Sequence, residues 1–209
     1  MIYFSNVVYE LGKWAFVILI VGTLVHYFLV TVFIISGPSM ETPFHNGQIV
    51  GVSRIGLFTG AYRRGDPMVL KFPGDPDHKK YIKRLIGLPG ETVEIKDNRV
   101  YINDNPIPEP YIQYVGQQVE SSWPIYYESD ELETEAIALH AQGLAQTKPD
   151  MKITLGPDDY FLMGDNRENS NDSRKWYAAN KKDMVGPVRF VLYPFKDWGP
   201  VVNPFYPAE

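Results

Sequence analysis

Residues 81–102 read Tyr81-Ile82-Lys83-Arg84-Leu85-Ile86-Gly87-Leu88-Pro89-Gly90-Glu91-Thr92-Val93-Glu94-Ile95-Lys96-Asp97-Asn98-Arg99-Val100-Tyr101-Ile102. β-branched and aromatic residues recur in short runs. Each run closes on a turn signal, first Gly87-Leu88-Pro89-Gly90 and then Asp97-Asn98. The pattern predicts an antiparallel meander that includes a hairpin. Side chains alternate across a strand, so Tyr81, Lys83 and Leu85 share one face. Lys83 is thereby aimed at an apolar layer, whereas Lys79, Lys80 and Arg84 have less apolar neighbours. A lysine so placed either snorkels to the surface or is desolvated and loses its charge.

Outward from this stretch the β pattern continues. Residues 48–53 and 67–72 read as strands around a Gly65-Asp66-Pro67 turn. Residues 153–155, 160–163 and 188–193 read as further strands. Seventeen prolines and seventeen glycines suit a loop-rich β protein. The expected fold class is mainly β, an antiparallel β-sheet domain with a small variable segment. Residues 103–152 differ, being rich in acids. There Ser129 is placed to cap a short helix over 130–142, with Leu132, Ala136 and Leu139 as its apolar stripe.

At the N-terminal side, residues 14–35 contain no Asp, Glu, Lys or Arg. A hydrocarbon core of ~30 Å needs about 20 apolar residues as helix, so this run can span. A cleaved secretory signal would have an apolar stretch of only ~7–15 residues and a small-residue cleavage site. A retained transmembrane helix over 14–35 is therefore expected. It follows a short cytoplasmic segment, 1–13, and precedes an extracytoplasmic domain, 36–209. Lys13 flanks the span and no Lys or Arg follows until Arg54, which fits a cytoplasmic N-terminus. His26 lies mid-span, where it can bond a carbonyl or a neighbouring helix. Leu57 and Phe58 fall in a predicted loop and read either as core or as a dip into the bilayer. The tail holds Phe195, Trp198, Phe205 and Tyr206, aromatic residues that suit the interface.

Composition narrows the chemistry. The net charge of −5 argues against nucleic-acid binding. With no cysteine, disulfides and thiolate metal sites are excluded. His26, His45, His78 and His140 show no metal-ligand spacing, so neither metal nor cofactor is expected.

Two more stretches stand out. In Gly37-Pro38-Ser39-Met40, Gly and Pro put Ser39 on a sharp corner. Residues 164–174 read Gly164-Asp165-Asn166-Arg167-Glu168-Asn169-Ser170-Asn171-Asp172-Ser173-Arg174. From Asn166 to Arg174, two acids and two arginines at short spacing can lock this loop by paired, charge-assisted bonds.

These stretches, in this order behind an apolar span, resemble the type I signal peptidases (leader peptidases), the membrane-anchored Ser-Lys proteases of family S26. The likeness covers residues 14–105 and 153–190. It implies Ser39 as nucleophile, its backbone N–H as oxyanion donor and Lys83 as general base. It implies Ser170 as the residue that orients the lysine. Asp165, Arg167, Asp172 and Arg174 become supports of the loop. Ile35, Met40, Phe44, Tyr81, Ile82 and Ile86 fall at or near pocket positions for small residues before the cut. A substrate would add as a strand beside 37–39 and 81–83. The implied activity is serine endopeptidase cleavage of signal peptides from exported preproteins at Ala-x-Ala sites. The implied setting is the plasma (inner) membrane, with the phospholipid bilayer and the secretion translocase as partners. The acidic stretch 103–152 corresponds to the family's variable insertion.

The chain departs from the family in three places. Thr42-Pro43 reverses a usual Pro-Thr order. Gly37 stands where some members carry an oxyanion serine. Residues 175–180 lack the usual Tyr-x-Gly-x-Val-Pro. Other readings are a specialised Ser-Lys membrane peptidase, of a conjugation system or an organelle inner membrane, and an inactive anchored protein that only binds. The intact Ser39, Lys83 and Ser170 speak against the last, because a binding module needs no desolvated lysine.

Overall fold

The computed structural model describes residues 2–203 apart from 42, 61, 74–78, 97–98, 113–122, 125–146 and 149–151. The predicted helix over 130–142, the Asp97-Asn98 turn, His78, His140, Phe205 and Tyr206 lie outside the described residues.

The first element is α1, Ile2–Phe28. Within it, Asn6–Thr23 is long and apolar enough to cross a membrane, and none of that window is buried against the rest of the chain. At ~1.5 Å per residue, its 27 residues reach ~40 Å. The helix sits earlier than the expected span over 14–35. It starts near the N-terminus, where Glu10 and Lys13 pair at 2.6 Å across one turn. It stops at Phe28 because Val30–Ile34, VTVFI, is a strand. An apolar run that is also β-branched fits either state. Here pairing with residues 49–53 decides it, from Val30 opposite Ser53 to Ile34 opposite Ile49.

In chain order the strands are β1 (Val30–Ile34), β2 (Ile49–Ser53), β3 (Pro67–Lys71), β4 (Lys80–Gly87), β5 (Thr92–Lys96), β6 (Arg99–Ile102) and β7 (Asn105–Pro106). They continue as β8 (Trp123–Pro124), β9 (Thr147–Lys148), β10 (Lys152–Thr154), β11 (Asp159–Met163), β12 (Ala179–Asn180), β13 (Met184–Tyr193) and β14 (Gly199–Pro200). Two short helices, α2 (Ile55–Thr59) and α3 (Ser173–Trp176), were not expected. α2 takes in Leu57 and Phe58, in the predicted loop.

The larger sheet runs β1-β2-β13-β3-β4-β11-β12, with β14 on β13, and the smaller runs β10-β5-β6-β7. Among the described residues every strand pairing in both is antiparallel. The predicted hairpin is present as β5–β6, with Val93 opposite Ile102. The predicted meander is not continuous, because β4 pairs with β3 and β11 rather than β5. The chain leaves the larger sheet at Gly87. A Cβ there would lie 2.6 Å from Val93 and 2.9 Å from Phe161, so only glycine lets the two sheets approach this closely.

Three apolar clusters pack against these sheets. Ile86, Val93, Val100, Ile153 and Phe161 pack between the two sheets. Met68, Leu70, Leu85, Leu162 and Trp176 form a second cluster. Ile35, Met40, Phe44, Val50, Val69 and Ile82 form a third. Each such side chain contributes roughly 1.5–3 kcal/mol on burial. The result is a stiff frame around the middle of β4.

Candidate active site

Ser39 is fixed by the turn that follows β1. Ile35 donates its N–H to the Gln48 carbonyl at 2.8 Å and accepts from Gly47 N–H at 2.8 Å. Gly37 then takes φ 96°, which a side chain would resist. Asn46 Oδ1 accepts its N–H at 3.0 Å. Glu41 donates to the Pro38 carbonyl at 3.0 Å, and Phe44 to the Met40 carbonyl at 3.0 Å. Met40 and Phe44 plug the turn into the third cluster and leave Ser39 partly exposed. Of the residues after the nucleophile, Pro43 is exposed to solvent and Phe44 is buried.

Lys83 comes from the middle of β4 and is 3% exposed. It shares a face with Tyr81 and Leu85, and its cross-strand partner Met68 is fully buried. Its Nζ is hydrogen-bonded to Ser39 Oγ at 2.6 Å. It lies 5.3 Å from the Tyr81 ring centroid. Burial lowers the lysine pKa to about 8, against the opposing pull of Asp172 and Asp165; the cation Arg174 adds to the lowering. The cation that matters is therefore not one of the neighbours in sequence. Lys79 and Lys80 are exposed. Arg84 turns to the other side of the strand.

Arg84 donates from Nε to Asp165 Oδ1 at 2.7 Å, forms a second bond to Asp165 Oδ2, and gives Nη1 to the Gly65 carbonyl at 2.7 Å. Asp165 therefore staples its loop to the strand that carries Lys83. Asp165 and Arg167, both expected as supports of the loop, act through different partners. Arg167 instead pairs with Glu109. Asp172 and Arg174 do pair, from Arg174 Nε and Nη2 at 2.8 Å each. Burial alone would raise the Asp172 pKa. Arg174, with the Gly164 N–H and the Ser170 hydroxyl, outweighs it and holds the carboxyl at about 2.

Ser170 reaches the site. Its buried Oγ lies beside Asp172 without a well-formed hydrogen bond to it, to Lys83 or to any other described residue. Gly164 is the residue that sequence reasoning passed over. A Cβ there would stand 2.2 Å from Ser170 Oγ and 2.6 Å from the Ser39 carbonyl oxygen. The Asn166 N–H donates to that same carbonyl at 3.1 Å. Loop 164–174 thus closes directly on the nucleophile's backbone. The glycine opening the polar run was the signal that could have found it.

A small groove of about 50 Å³, partly open to solvent, lies where the end of β1 meets the start of β4. Phe33, Ile35, Val50, Val69, Tyr81 and Ile82 line it. Lys80 stands at its edge with Nζ 4.9 Å from the Phe33 ring centroid. Of the expected pocket residues, Ile35, Tyr81 and Ile82 are on its wall. Met40 and Phe44 lie in the core cluster behind that wall. Ile86 is elsewhere, packed between the sheets with Val93 and Phe161. It falls two strand repeats beyond Ile82, next to Gly87, where the chain leaves the larger sheet. Among the described residues no three His, Asp or Glu side chains gather as a metal site would require.

Residues 8–193 match the family model "Signal peptidase, peptidase S26". The chain is 31% identical to a signal peptidase I of Bacillus licheniformis over 194 residues, 92% of each chain. It is 34% identical to a signal peptidase I of Bacillus amyloliquefaciens, over 92% of this chain and 89% of the relative. A solved signal peptidase I from Enterococcus faecalis V583 aligns with TM-score 0.42 at 25% identity, covering 61% of this chain and 96% of that one. A buried lysine bonded to a serine on a glycine corner, in a β domain behind an apolar helix, thus sits in a chain that belongs to the peptidase S26 family of signal peptidases.

Proposed function

We propose that this protein is a membrane-anchored serine endopeptidase that removes signal peptides from exported preproteins through Ser39 and Lys83. The observation that carries the reading is the 2.6 Å contact between Ser39 Oγ and a lysine amine held in an apolar layer. With a pKa near 8, the amine is neutral in about a tenth of molecules at pH 7, enough to act as a base.

In the neutral form the Ser39 hydroxyl donates to the Lys83 lone pair. Ser39 Oγ attacks the scissile carbonyl carbon while its proton passes to Nζ. The oxyanion takes the Ser39 N–H. The C–N bond breaks as the Lys83 ammonium returns the proton to the leaving amine. A water then attacks the ester, Lys83 takes the water's proton, and Ser39 leaves with that proton restored. Ser170 is assigned to aim the amine, and Asp165, Arg167, Asp172 and Arg174 to hold the loop. Substrates with small residues before the cut, of Ala-x-Ala type, suit the apolar groove and extend along β4.

α1 is read as a single-pass anchor in the plasma (inner) membrane, with the N-terminus in the cytoplasm and the β domain, from β1 onward, outside. The support is the charge distribution along the chain: Lys13 lies in the N-terminal half of α1, and no Lys or Arg follows it until Arg54. Residues 103–152 are read as the variable insertion, and the secretion translocase as a partner.

The test is cleavage of a preprotein carrying an Ala-x-Ala site by the full chain in detergent. Ser39→Ala and Lys83→Ala should each lose cleavage while keeping the wild-type melting transition within about 5 °C. Near-normal turnover by either variant would overturn the dyad. Orientation is read by adding protease to intact spheroplasts. Digestion of the β domain is expected, and its protection until lysis would reverse the assignment.

A further inference from the structure

With Ser39 and Lys83 as the proposed catalytic pair, on which this inference depends, loop 164–174 holds the site from one side. That loop is itself held from outside by residues that no catalytic motif contains. After β7 the chain turns back along the second sheet. Ile107 donates to the Val100 carbonyl at 2.9 Å, and Ile112 to the Glu109 carbonyl at 3.2 Å. Tyr111 is buried in the cluster between the sheets. Its hydroxyl donates to Glu109 Oε1 at 2.9 Å. The Glu109 carboxylate takes both Nη groups of Arg167. Tyr111 also lies under the second arginine of the region, with the Arg84 guanidinium 4.3 Å from its ring centroid.

From Arg167 the contacts run inward without a gap. Its Nε donates to the Gly164 carbonyl at 3.1 Å. Its own carbonyl accepts from Arg174 Nη2 at 2.7 Å. Gly164 N–H donates to Asp172 at 2.9 Å. Gly164 in turn abuts the Ser39 carbonyl and Ser170 Oγ, leaving no room for a Cβ. Arg167 is buried, and a buried guanidinium holds its place only while it is paired. Glu109 is its carboxylate in this structure.

We propose that Glu109 and Tyr111 are positioning residues: they hold Arg167, and through Arg167 and Gly164 they hold the loop of Ser170 and Asp172 against Ser39 and Lys83. The root of the segment that leaves the second sheet is thereby coupled to the reacting groups without touching them.

The charges make this distinguishable from simple packing. Facing Lys83 are Ser39 from the turn after β1, Tyr81 from its own strand, and Asp165, Asp172 and Arg174 from the loop. Asp172 and Asp165 favour the lysine's charged form. Arg167 acts on both carboxylates, and Glu109 offsets Arg167. Removing the Glu109 charge leaves Arg167 to turn on Asp165 and Asp172, so Lys83 loses their support and deprotonates at lower pH. Loosening alone would admit water and move Lys83 toward its ordinary, higher value.

The experiment measures kcat and KM against pH for the full chain in detergent, on an Ala-x-Ala preprotein. Glu109→Ala, which removes the clamp, should cut kcat on the order of tenfold to a hundredfold with KM nearly unchanged. Glu109→Gln, which keeps the shape and removes the charge, should move the acidic limb to lower pH than wild type. Glu109→Gln combined with Arg167→Gln, which buries no unpaired charge, should return the limb to the wild-type position while kcat stays low. Wild-type kcat in Glu109→Ala or in the double variant, a loss confined to KM, or a limb displaced to higher pH in Glu109→Gln would each overturn the proposal. If Glu109→Ala does not fold, the limb of Glu109→Gln and the kcat of the double variant decide it. Activity in Ser39→Ala or Lys83→Ala would instead refute the dyad, which separates the two failures.

Discussion

Lys83 and Arg84 are neighbours on one strand and both are buried, yet they meet opposite surroundings. Lys83 faces Tyr81, Leu85 and Met68, and its amine is hydrogen-bonded to the neutral Ser39 hydroxyl. Arg84 faces Asp165, which takes two of its N–H groups, and the Gly65 carbonyl, which takes a third. Alternation along the strand separates the two environments by a single residue. The first is desolvation only partly offset by Asp172 and Asp165, so the cation gives up its proton within reach of physiological pH. The second is desolvation with a bidentate carboxylate, so the cation keeps its charge and serves as a staple. Guanidinium suits the second role because it stays protonated, and ammonium suits the first because its pKa moves readily.

The two sides should respond to mutation with opposite sign. Asp165→Asn leaves Arg84 buried beside a neutral amide. A loss of about 3–5 kcal/mol is expected from denaturant midpoints. A change below about 1 kcal/mol would mean that water reaches Arg84 and that the two faces are alike.

Lys83→Met should abolish cleavage and make the protein more stable at neutral pH. The lysine pKa is lowered on folding from 10.5 to about 8. Below pH 8 both states hold the proton and the folded state bears the whole penalty. Stability then rises with pH as the folded lysine deprotonates first, and levels off above 10.5. The full penalty is about 3 kcal/mol, which Lys83→Met should recover at pH 7. Equal melting temperatures for Lys83→Met and wild type at pH 7 would show that the amine is hydrated.

Gly164→Ala tests the seam between the two faces. The added methyl must displace Ser170 Oγ and the Ser39 carbonyl. Overpacking of this kind costs about 1–3 kcal/mol. The displacement at Ser39 should slow kcat by about a hundredfold. Wild-type kcat in this variant would mean that the loop yields without moving the nucleophile.

The Lys83 environment was legible in sequence because strand alternation is local and Tyr81, Lys83 and Leu85 lie within five residues. The Ser39 corner was legible for the same reason, from Gly37 and Pro38. Arg167 was not. Its nearest acid in sequence is Glu168 and the next is Asp165, but its carboxylate arrives from 58 residues away. No spacing rule reports that distance. Ile86 shows how far a local rule extends. Alternation places it on the face away from Lys83, yet only the departure of β4 toward the second sheet, at Gly87, carries it out of the groove wall. The boundary between α1 and β1 failed for another reason. Residues 30–34 satisfy both a membrane helix and a strand, and the choice is made by β2, which cannot be seen from within the run.

That boundary also sets a length. Only Leu29 separates the end of α1 from the first residue of β1, and its carbonyl is tied to the Arg54 N–H at 2.9 Å. Nothing there can act as a flexible leash. The five residues of β1 span ~17 Å, and Ser39 follows five residues after its end, beyond the Gly37 corner. With α1 seated in a bilayer, the height of the nucleophile above the lipid is then a ruler cut from one strand. A polypeptide crossing the same bilayer would be severed at a fixed depth rather than wherever a suitable sequence drifts by.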